Sequence, residues 1–235
     1  MSTFPFAALL FDLDGTLVDS APDLTIAANQ MLAALGRPVF DLPMVASWIG
    51  DGVPRLIKRA LTGERWAEPE PQLFLAAQTL YGQYYEAHIA DHSTLYPRVI
   101  ETLEVLREQG FRMGCVTNKA ARFTAPLLAA LGLASYFEVV LSGDSLAQTK
   151  PDPYPLIVAA DRLGVALDGV VMVGDSGNDM RAAKAAGMQA VAVSYGYNNG
   201  VDLEALGATV MIDDFGKLPD IVRLEGRFLL SKAVS

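Results

Sequence analysis

The architecture of the chain can be inferred from the stretch Phe11-Asp12-Leu13-Asp14-Gly15-Thr16-Leu17-Val18-Asp19-Ser20 and the apolar residues 7–10 before it. A short, continuously apolar run that ends in a Gly-containing turn is typical of a buried parallel strand. Because side chains two apart on an extended segment point the same way, we expect Asp12 and Asp14 to project together from the carboxyl end of this strand. Two carboxylates this close repel each other unless a cation or a shared proton reconciles them. The pattern therefore indicates a metal-assisted reaction on an anion.

The residues after this motif predict a helical insert. Ser20-Ala21-Pro22-Asp23 is typical of a helix start with Ser20 as its N-cap, and apolar residues then recur at helical spacing. Further helices are predicted over 53–61 and 72–88. No strand pattern is found between residues 20 and 95, so we expect an all-helical insert of roughly four helices.

Beyond residue 96 the pattern changes to alternating strands and helices. This alternation implies a parallel sheet with helices on both faces. The predicted fold class is α/β, a doubly wound parallel sheet interrupted by the helical insert. Residues 222–235 carry no strong pattern and are expected to form a loosely docked tail. The predicted strands are 7–11, 111–116, 137–141, 170–173, 189–193 and 209–212.

The composition argues against several classes of partner. A chain of 235 residues can bury a sizeable core, and its hydrophobic fraction of 51% predicts a globular protein. The formal net charge of −9 argues against nucleic acids and anionic membranes as partners, because both bind positively charged faces. Cys115 is the single cysteine, so no internal disulfide can form, and we expect a reducing cytoplasm as the location. Neither a signal peptide nor a membrane-spanning segment is expected.

Polar side chains follow two further strands of the predicted sheet. In doubly wound folds ligands lie beyond the carboxyl ends of the strands, so these side chains are site candidates. Thr117 and Asn118 follow the strand 111–116, where a hydroxyl or amide beside free backbone N–H groups makes an anion pocket; a simple helix N-cap is the alternative. Asp175 follows the strand 170–173 and would be an oxygen ligand for a hard cation such as Mg²⁺.

The stretch from Asp12 to Ser20 resembles the opening motif of the haloacid dehalogenase superfamily, most of whose members are Mg²⁺-dependent phosphohydrolases. Three later segments also resemble motifs of that superfamily, namely 116–119, 150–153 and 173–179. The superfamily's dehalogenases lack the second aspartate of the opening motif. The presence of Asp14 therefore argues against carbon–halogen chemistry.

The resemblance implies a division of the chain into two domains. Residues 1–18 and 96–235 would form a Rossmann-like catalytic core. The insert, residues 19–95, is in the position of a type-one cap, a lid that closes over a small substrate and excludes water. Within this cap Gly50 belongs to a loop that resembles the family's substrate loop, and Arg55 is a candidate contact for a carboxylate or phosphate. Arg55 could equally belong to an ordinary solvated face of its helix, with no contact to the substrate.

The resemblance also implies catalytic roles. Asp12 would be the nucleophile that forms an aspartyl phosphate, and Asp14 the acid/base that protonates the leaving alkoxide and later helps to deprotonate the hydrolytic water. Thr117 and Asn118 would hold the oxygens of the transferring phosphoryl group. Lys150 would pair with the phosphate and with the Asp12 carboxylate, because a dianionic phosphate has to approach an anionic nucleophile.

The cofactor implied by the resemblance is Mg²⁺. Its expected protein ligands are the side chains of Asp12 and Asp175 and the backbone carbonyl of Asp14. Asp179, with Ser176, would support Lys150 or the metal site from outside the ligand sphere. Ser176-x-x-Asp179 also resembles a capping box, so a purely structural role is the alternative for these two residues.

The finer resemblance is to phosphoglycolate phosphatases, and it covers nearly the whole chain. It implies that a small phosphorylated substrate, 2-phosphoglycolate, is hydrolysed to glycolate and phosphate. One departure is Asp152, where a familiar form of the motif has His. This position is not that of the motif's lysine, which is Lys150. A phosphatase for another small sugar phosphate, a phosphomutase similar to β-phosphoglucomutase and a catalytically silent binding protein stay open, as do a monomer and a homodimer. The segments that carry the resemblance are 48–52, 125–128, 142–144, 174–187 and 195–198.

Overall fold

The strand of the opening motif, β1 (Ala8–Phe11), lies in the middle of a parallel sheet in the computed structural model, which describes residues 6–198 and 200–223. All four residues of β1 are apolar and fully buried, as expected for a strand covered on both faces. With strands numbered in chain order, its partners in the sheet are β4 (Arg112–Val116), β5 (Val139–Leu141), β6 (Val170–Gly174), β7 (Gln189–Val193) and β8 (Val210–Ile212). Across the described residues these six strands are all parallel, in the order β5-β4-β1-β6-β7-β8.

Helices cover both faces of this sheet. Leu9 and Phe11 lie in one apolar cluster with residues of α5 (Val99–Glu108) and α6 (Ala121–Ala130). The alternate residues of β1, Ala8 and Leu10, lie in a second cluster with α7 (Tyr154–Arg162) and α8 (Gly177–Ala186). Side chains that alternate between two apolar clusters are the mark of a strand buried on both faces, and they confirm the predicted doubly wound α/β fold.

The strand order brings three chain segments together at one edge of the sheet. From β1 the chain runs out to β4 and β5 on one side and then crosses to β6 on the other side, which makes β1 the switch point of the sheet. Phe11 is in register with Cys115 of β4 and with Val173 of β6. The residues directly after these three positions therefore meet at the carboxyl ends of the strands, where doubly wound folds bind ligands.

The insert folds as a group of helices with an apolar cluster of its own. Its helices are α1 (Ala21–Ala34), α2 (Leu42–Ala46), α3 (Val53–Thr62) and α4 (Pro71–Ala87), in agreement with the expectation of roughly four. Tyr81 and Tyr85 of α4 pack on Phe123 of α6, with ring centroids 6.5 and 4.9 Å from it. Phe123 thus extends the cluster of the insert onto the sheet domain.

The junction between the insert and the sheet contains a feature that the sequence did not predict. Residues of β2 (Val18–Asp19) pair antiparallel with residues of β3 (Thr94–Leu95), one strand on each side of the insert. The expectation of no strand between residues 20 and 95 was therefore wrong at Thr94–Leu95. Each of these strands has two residues, which is too few to show the alternation of a strand, so the β2–β3 ribbon leaves no pattern in the sequence.

Other differences concern the ends of elements. Ser20 precedes α1 as expected, but its side chain makes no capping hydrogen bond and is used elsewhere. A short helix, α9 (Leu203–Leu206), was not predicted. The chain is helical again at 218–223, and the rest of the predicted tail lies outside the described residues. A search of the described part of the chain found no helix that is long and apolar enough to cross a membrane.

Candidate active site

A buried lysine joins the carboxyl ends of β1 and β6. The Nζ atom of Lys150 lies 2.9 Å from Asp12 Oδ1 and 2.7 Å from Asp179 Oδ1. Only 3% of Lys150 is exposed, and Asp179 is fully buried. A charge in such a place is tolerated only when it is paired, so these three groups hold one another in position.

Asp179 also completes the start of α8. Its Oδ2 atom accepts hydrogen bonds from the backbone N–H of Ser176 at 3.0 Å and from Ser176 Oγ at 2.6 Å. The Ser176 side chain in turn accepts from the backbone N–H of Asp179, which makes a capping box. The capping role and the support of Lys150, weighed as alternatives from the sequence, therefore coexist in one side chain.

Asp175 is fixed by two donors, one on each of its carboxylate oxygens. Thr16 Oγ1 donates to Oδ1 at 2.8 Å, and the backbone N–H of Tyr197 donates to Oδ2 at 2.7 Å. The turn after β1 passes very close to this carboxylate, because a Cβ atom at Gly15 would lie 2.3 Å from Asp175 Oδ2. Gly15 also has φ of +86°, so both its backbone and its lack of a side chain are required.

The three buried carboxylates crowd one another, and this changes their acidity. Burial, and then the charge of Asp179, raise the pKa of Asp12 to about 7, although Lys150 opposes the shift. Burial, followed by the charges of Asp179 and Asp12, raises the pKa of Asp175 well above its usual range. The cluster therefore lacks positive charge, despite the nearby lysine.

The donor set of this cluster fits a hard divalent cation. Asp12, Asp175 and Asp179 each offer one carboxylate oxygen, and these three atoms lie within 4.8 Å of one another. The oxygens of Asp179 accept three hydrogen bonds, from Lys150 and from the backbone N–H and Oγ of Ser176, whereas those of Asp175 accept one each. Asp12 and Asp175 are therefore the better side-chain ligands, and carboxylate oxygen is what Mg²⁺ takes.

The side chain of Asp14 lies apart from that cluster and has a partner that the sequence analysis did not assign. Lys119 Nζ lies 3.1 Å from both Oδ1 and Oδ2 of Asp14, and Ser20 Oγ donates to Oδ1 at 2.6 Å. Lys119 is 3% exposed. The one available signal was its place directly after Thr117 and Asn118, at the end of a strand. Lys119 lies in the loop before α6, which starts at Ala121.

Thr117 and Asn118 follow β4 without capping the next helix. The N-cap of α6 is Ala120, so the alternative of a simple cap fails for both residues. Thr117 Oγ1 accepts the backbone N–H of Lys119 at 3.2 Å. Asn118 Nδ2 donates to the carbonyl oxygen of Lys150 at 2.9 Å and to that of Gly50 at 3.1 Å. Asn118 thus links the lysine loop to the cap loop, residues 48–52.

The cap loop is also tied to α8. Asn178 Nδ2 donates to Asp51 Oδ1 at 2.8 Å and to the Gly50 carbonyl oxygen at 3.3 Å. On its other side Asp51 Oδ2 accepts from the buried Arg59 at 2.5 Å. These hydrogen bonds hold the cap loop over the carboxyl ends of the strands.

A small cavity of about 30 Å³ lies between the cap and the core. Gly50 lines it, as the sequence analysis anticipated, whereas Arg55 is not one of the lining residues and instead bonds to Glu68 Oε1 at 3.1 Å. The lining residues from the core are Asp12, Asp14, Thr117, Asn118 and Lys119, and those from the cap are Leu24, Ile49, Gly50, Gly52, Val53 and Leu56.

Comparison with known proteins gives results that agree with this geometry. A family model described as haloacid dehalogenase-like hydrolase matches residues 9–193. The chain is 47% identical over 214 residues to a phosphoglycolate phosphatase of Nitrosococcus oceani, a match that covers 91% of this chain and 95% of the relative. It is 48% identical over 207 residues to one of Thiobacillus denitrificans, covering 86% and 91%.

A solved structure shows the same architecture. The crystal structure of a predicted phosphoglycolate phosphatase from Haemophilus somnus superposes with a TM-score of 0.87 at 35% sequence identity. The match covers 92% of this chain and 98% of the other. The likeness extends over the insert as well as the sheet.

Proposed function

The chain belongs to the haloacid dehalogenase-like hydrolase family, and we propose that it is a Mg²⁺-dependent phosphomonoester hydrolase that converts 2-phosphoglycolate to glycolate and phosphate. The observation that carries this proposal is the buried group of Asp12, Asp175 and Lys150 at the carboxyl ends of β1 and β6. It combines a nucleophile, carboxylates suited to a cation and a positive charge, which are what phosphoryl transfer requires.

In the first step Asp12 attacks the phosphorus atom. Its Oδ1 accepts from Lys150 and from the backbone N–H of Leu13 at 2.8 Å, which leaves Oδ2 for the attack. The new bond joins Asp12 to phosphorus as the ester bond breaks, and Asp14 gives its proton to the leaving alkoxide. In the second step Asp14 takes a proton from water, the water oxygen attacks phosphorus, and phosphate leaves Asp12.

Three residues would hold the phosphoryl group: Lys150 and Thr117 with their side chains, and Asn118 with its backbone N–H, because the Asn118 side-chain amide already donates to the carbonyl oxygens of Lys150 and Gly50. Lys150 lies beside Asp12 and neutralises the approach of one anion to another. Thr117 and Asn118 follow β4 at the same edge of the sheet and line the cavity. This arrangement supports the roles that the motifs imply for them.

The Mg²⁺ ion would be held by the side chains of Asp12 and Asp175, together with the backbone carbonyl of Asp14. When bound, it supplies the positive charge that keeps the crowded carboxylates ionised and orients the phosphate. Asp179 and Ser176 act outside this ligand set by holding Lys150. The raised pKa of Asp12 supports the assignment, because a nucleophile with a pKa of about 7 needs a nearby cation to be fully ionised at neutral pH.

Residues 19–95 would act as the lid, and residues 1–18 with 96–235 as the catalytic core. The separate apolar cluster of the insert and the β2–β3 ribbon at its junction support this division. Gly50 would contact the substrate from the cap loop. Arg55 could do so only after leaving Glu68, with which it is paired.

The partner of the chain would be a small phosphorylated molecule and neither a nucleic acid nor a membrane, in keeping with the net charge of −9. All side chains of the proposed site come from one chain, which fits either a monomer or a homodimer. Cys115 is a buried free thiol in β4, which supports a reducing cytoplasm as the place of action.

A panel of phosphate-release assays tests the proposal. With Mg²⁺ present, 2-phosphoglycolate should give the highest kcat/KM among esters that include sugar phosphates and nucleotides, and EDTA should abolish the activity. Stoichiometric phosphate release without a phosphorylated activator would exclude a phosphomutase. Preference for a sugar phosphate would contradict 2-phosphoglycolate as the substrate. Activity that survives EDTA would contradict the proposed dependence on Mg²⁺.

A further inference from the structure

Lys119 is a buried cation beside Asp14 in the cavity between cap and core. Its Nζ atom is 3.1 Å from each oxygen of Asp14, the proposed proton donor to the leaving group. The ring of Tyr85 covers the ammonium on another side, 4.7 Å from Nζ. An ammonium has three N–H donors, so two directed at Asp14 leave one for a ligand in the cavity.

The wall that the cap contributes to this cavity contains no polar side chain among its described residues. It consists of the side chains of Leu24, Ile49, Val53 and Leu56 and the backbone at Gly50 and Gly52. A sugar carries several hydroxyl groups, which would lose their hydrogen bonds to water against such a wall. An apolar wall beside one buried cation is better matched to a short leaving group that carries a single negative charge.

The backbone of the cap adds to this preference. Gly52 and Val53 line the cavity at the start of α3, where Gly52 is an N-cap without a side chain. The N-terminus of a helix carries partial positive charge. In α3 Pro54 has no N–H and the N–H of Arg55 donates to the Gly52 carbonyl oxygen at 3.2 Å, so Val53 is the residue that offers an N–H there. An anionic group between Lys119 and the start of α3 would therefore be attracted from both sides.

We propose that Lys119 binds the anionic end of the leaving group and thereby selects phosphate esters of small hydroxy acids over esters of uncharged alcohols and sugars. The inference deepens the proposed phosphatase function and rests on it. Lys119 differs in task from Lys150, which lies between Asp12 and Asp179 and serves the phosphoryl end.

Two esters that differ only in the end group test the assignment. One is 2-phosphoglycolate and the other is 2-hydroxyethyl phosphate, in which an alcohol replaces the carboxylate. The wild-type protein should prefer the first by about 30-fold in kcat/KM, the range expected for a hydrogen bond to a charged group. In Lys119→Met, kcat/KM should fall about 30-fold for 2-phosphoglycolate and less than about threefold for 2-hydroxyethyl phosphate. Only the first ester has a carboxylate that would pair with the Lys119 ammonium.

The ratio of the two esters is read on the same protein, so any disturbance of Asp14 or of the fold affects both and cancels. Lys119→Arg keeps the charge and should retain a preference of at least about tenfold. Lys58→Met, the same change at a lysine of α3 that pairs with Glu68 and is not among the lining residues of the cavity, should leave both activities within about threefold.

Equal losses on the two esters in Lys119→Met would overturn the inference, because they would show that Lys119 serves Asp14 alone. A wild-type protein that hydrolyses both esters equally would overturn it as well. A protein that hydrolyses neither ester with Mg²⁺ present would instead contradict the proposed phosphatase function itself.

Discussion

Asp12 meets two opposing demands. As the proposed nucleophile it must be ionised, yet burial and the charge of Asp179 raise its pKa to about 7. Lys150, 2.9 Å away, offsets only part of this shift. A bound cation would complete the neutralisation, so the acidity of this one side chain connects the packing of the core to its reactivity.

The raised pKa of Asp12 predicts how the metal-free protein responds to pH. In the unfolded chain the pKa is the ordinary 3.8, and in the folded chain it is about 7. As pH rises from 3.8 to about 7, the unfolded chain loses this proton while the folded chain keeps it. The contribution of Asp12 to the free energy of unfolding is therefore fully present below pH 3.8 and is lost as pH rises to about 7. We therefore compare Asp12→Asn with the wild-type protein in EDTA. The unfolding free energy of the variant minus that of wild type should increase by on the order of 2 kcal/mol from pH 5 to pH 8.

Urea unfolding of both proteins at the two pH values measures this difference. The charge of Asp12 is one cause of the raised pKa of Asp175, so Asp12→Asn also lowers the pKa of Asp175, which changes the difference between the proteins in the same direction. A difference that stays constant, or one that favours the variant more at pH 5, would contradict the assignment of a raised pKa to Asp12.

Single residues also show where sequence reasoning reaches its limit. Asp12, Asp14 and Asp175 could be predicted because each follows a strand, and strand ends meet in a parallel sheet. Lys119 was not assigned a role, because its partner Asp14 is 105 residues away in the chain and its place at a strand end does not show which group it contacts. Ser20 was read as a helix cap because its local sequence fits one, but Asp14 competes successfully for its hydroxyl.

Among the elements, the start of α8 is bonded to the cap loop, which Asn118 also holds through the Gly50 carbonyl oxygen. Asn178 bonds both to Asp51 and to the Gly50 carbonyl, so one core side chain holds two consecutive residues of the loop. Closure of a lid excludes water and orients the substrate, and its loss reduces catalysis without touching the reacting groups.

Removal of this contact gives a prediction for Asn178→Ala. The variant should lose about tenfold in kcat/KM for 2-phosphoglycolate, and its unfolding free energy should fall by only about 1 kcal/mol, the usual net value of a hydrogen bond. Steady-state kinetics and urea unfolding measure the two effects. Arg181→Ala is the matched control: Arg181 donates to Asn178 Oδ1, so that change removes a neighbour of Asn178 but keeps its bonds to the cap. If both variants behave alike, the contact with the cap loop is not what matters.

The elements themselves differ in how well the sequence predicted them. β7 was predicted with its observed bounds, and β1, β4 and β6 within a residue at one end, because buried strands are short apolar runs between turns. The two-residue β2–β3 ribbon was missed, since its pairing depends on where the insert leaves and rejoins the sheet. Such a contact is set by tertiary structure rather than by a local pattern.

For the whole molecule, the negative net charge and an anionic substrate are in conflict. At −9 the chain repels phosphate esters at long range, so attraction has to come from positive groups close to the site. Among the described residues these are Lys150 and Lys119, each buried against a carboxylate. The proposed Mg²⁺ would add the remaining charge and would stabilise the fold as it does so.

Ligand linkage predicts the size of that stabilisation. A cation that binds only the folded chain adds about 2.7 kcal/mol when it is present at about 100 times its Kd. Thermal unfolding with Mg²⁺, with EDTA and with NaCl at matched ionic strength measures the effect. Asp175→Asn should abolish the Mg²⁺-specific shift, because Asp175 is a proposed ligand. A shift that survives in this variant, or that NaCl reproduces, would place the cation elsewhere.

The helical insert and the parallel sheet were the parts most open to prediction, because the change from helical spacing to strand–helix alternation near residue 96 is visible over many residues. How the cap meets the core was not visible. The bonds from Asn118 and Asn178 to Gly50 join residues 68 and 128 apart in the chain, and nothing local marks them.

The most direct test of the account asks whether phosphate is transferred to Asp12. The protein is mixed with 2-phosphoglycolate and Mg²⁺, quenched, and reduced with borohydride, which converts an acyl phosphate of aspartate to homoserine. Mass spectrometry of the peptide that contains residues 8–20 should show this conversion at position 12 only after exposure to substrate, and never in Asp12→Asn. Phosphate release with position 12 unchanged, or conversion at another aspartate, would contradict the account.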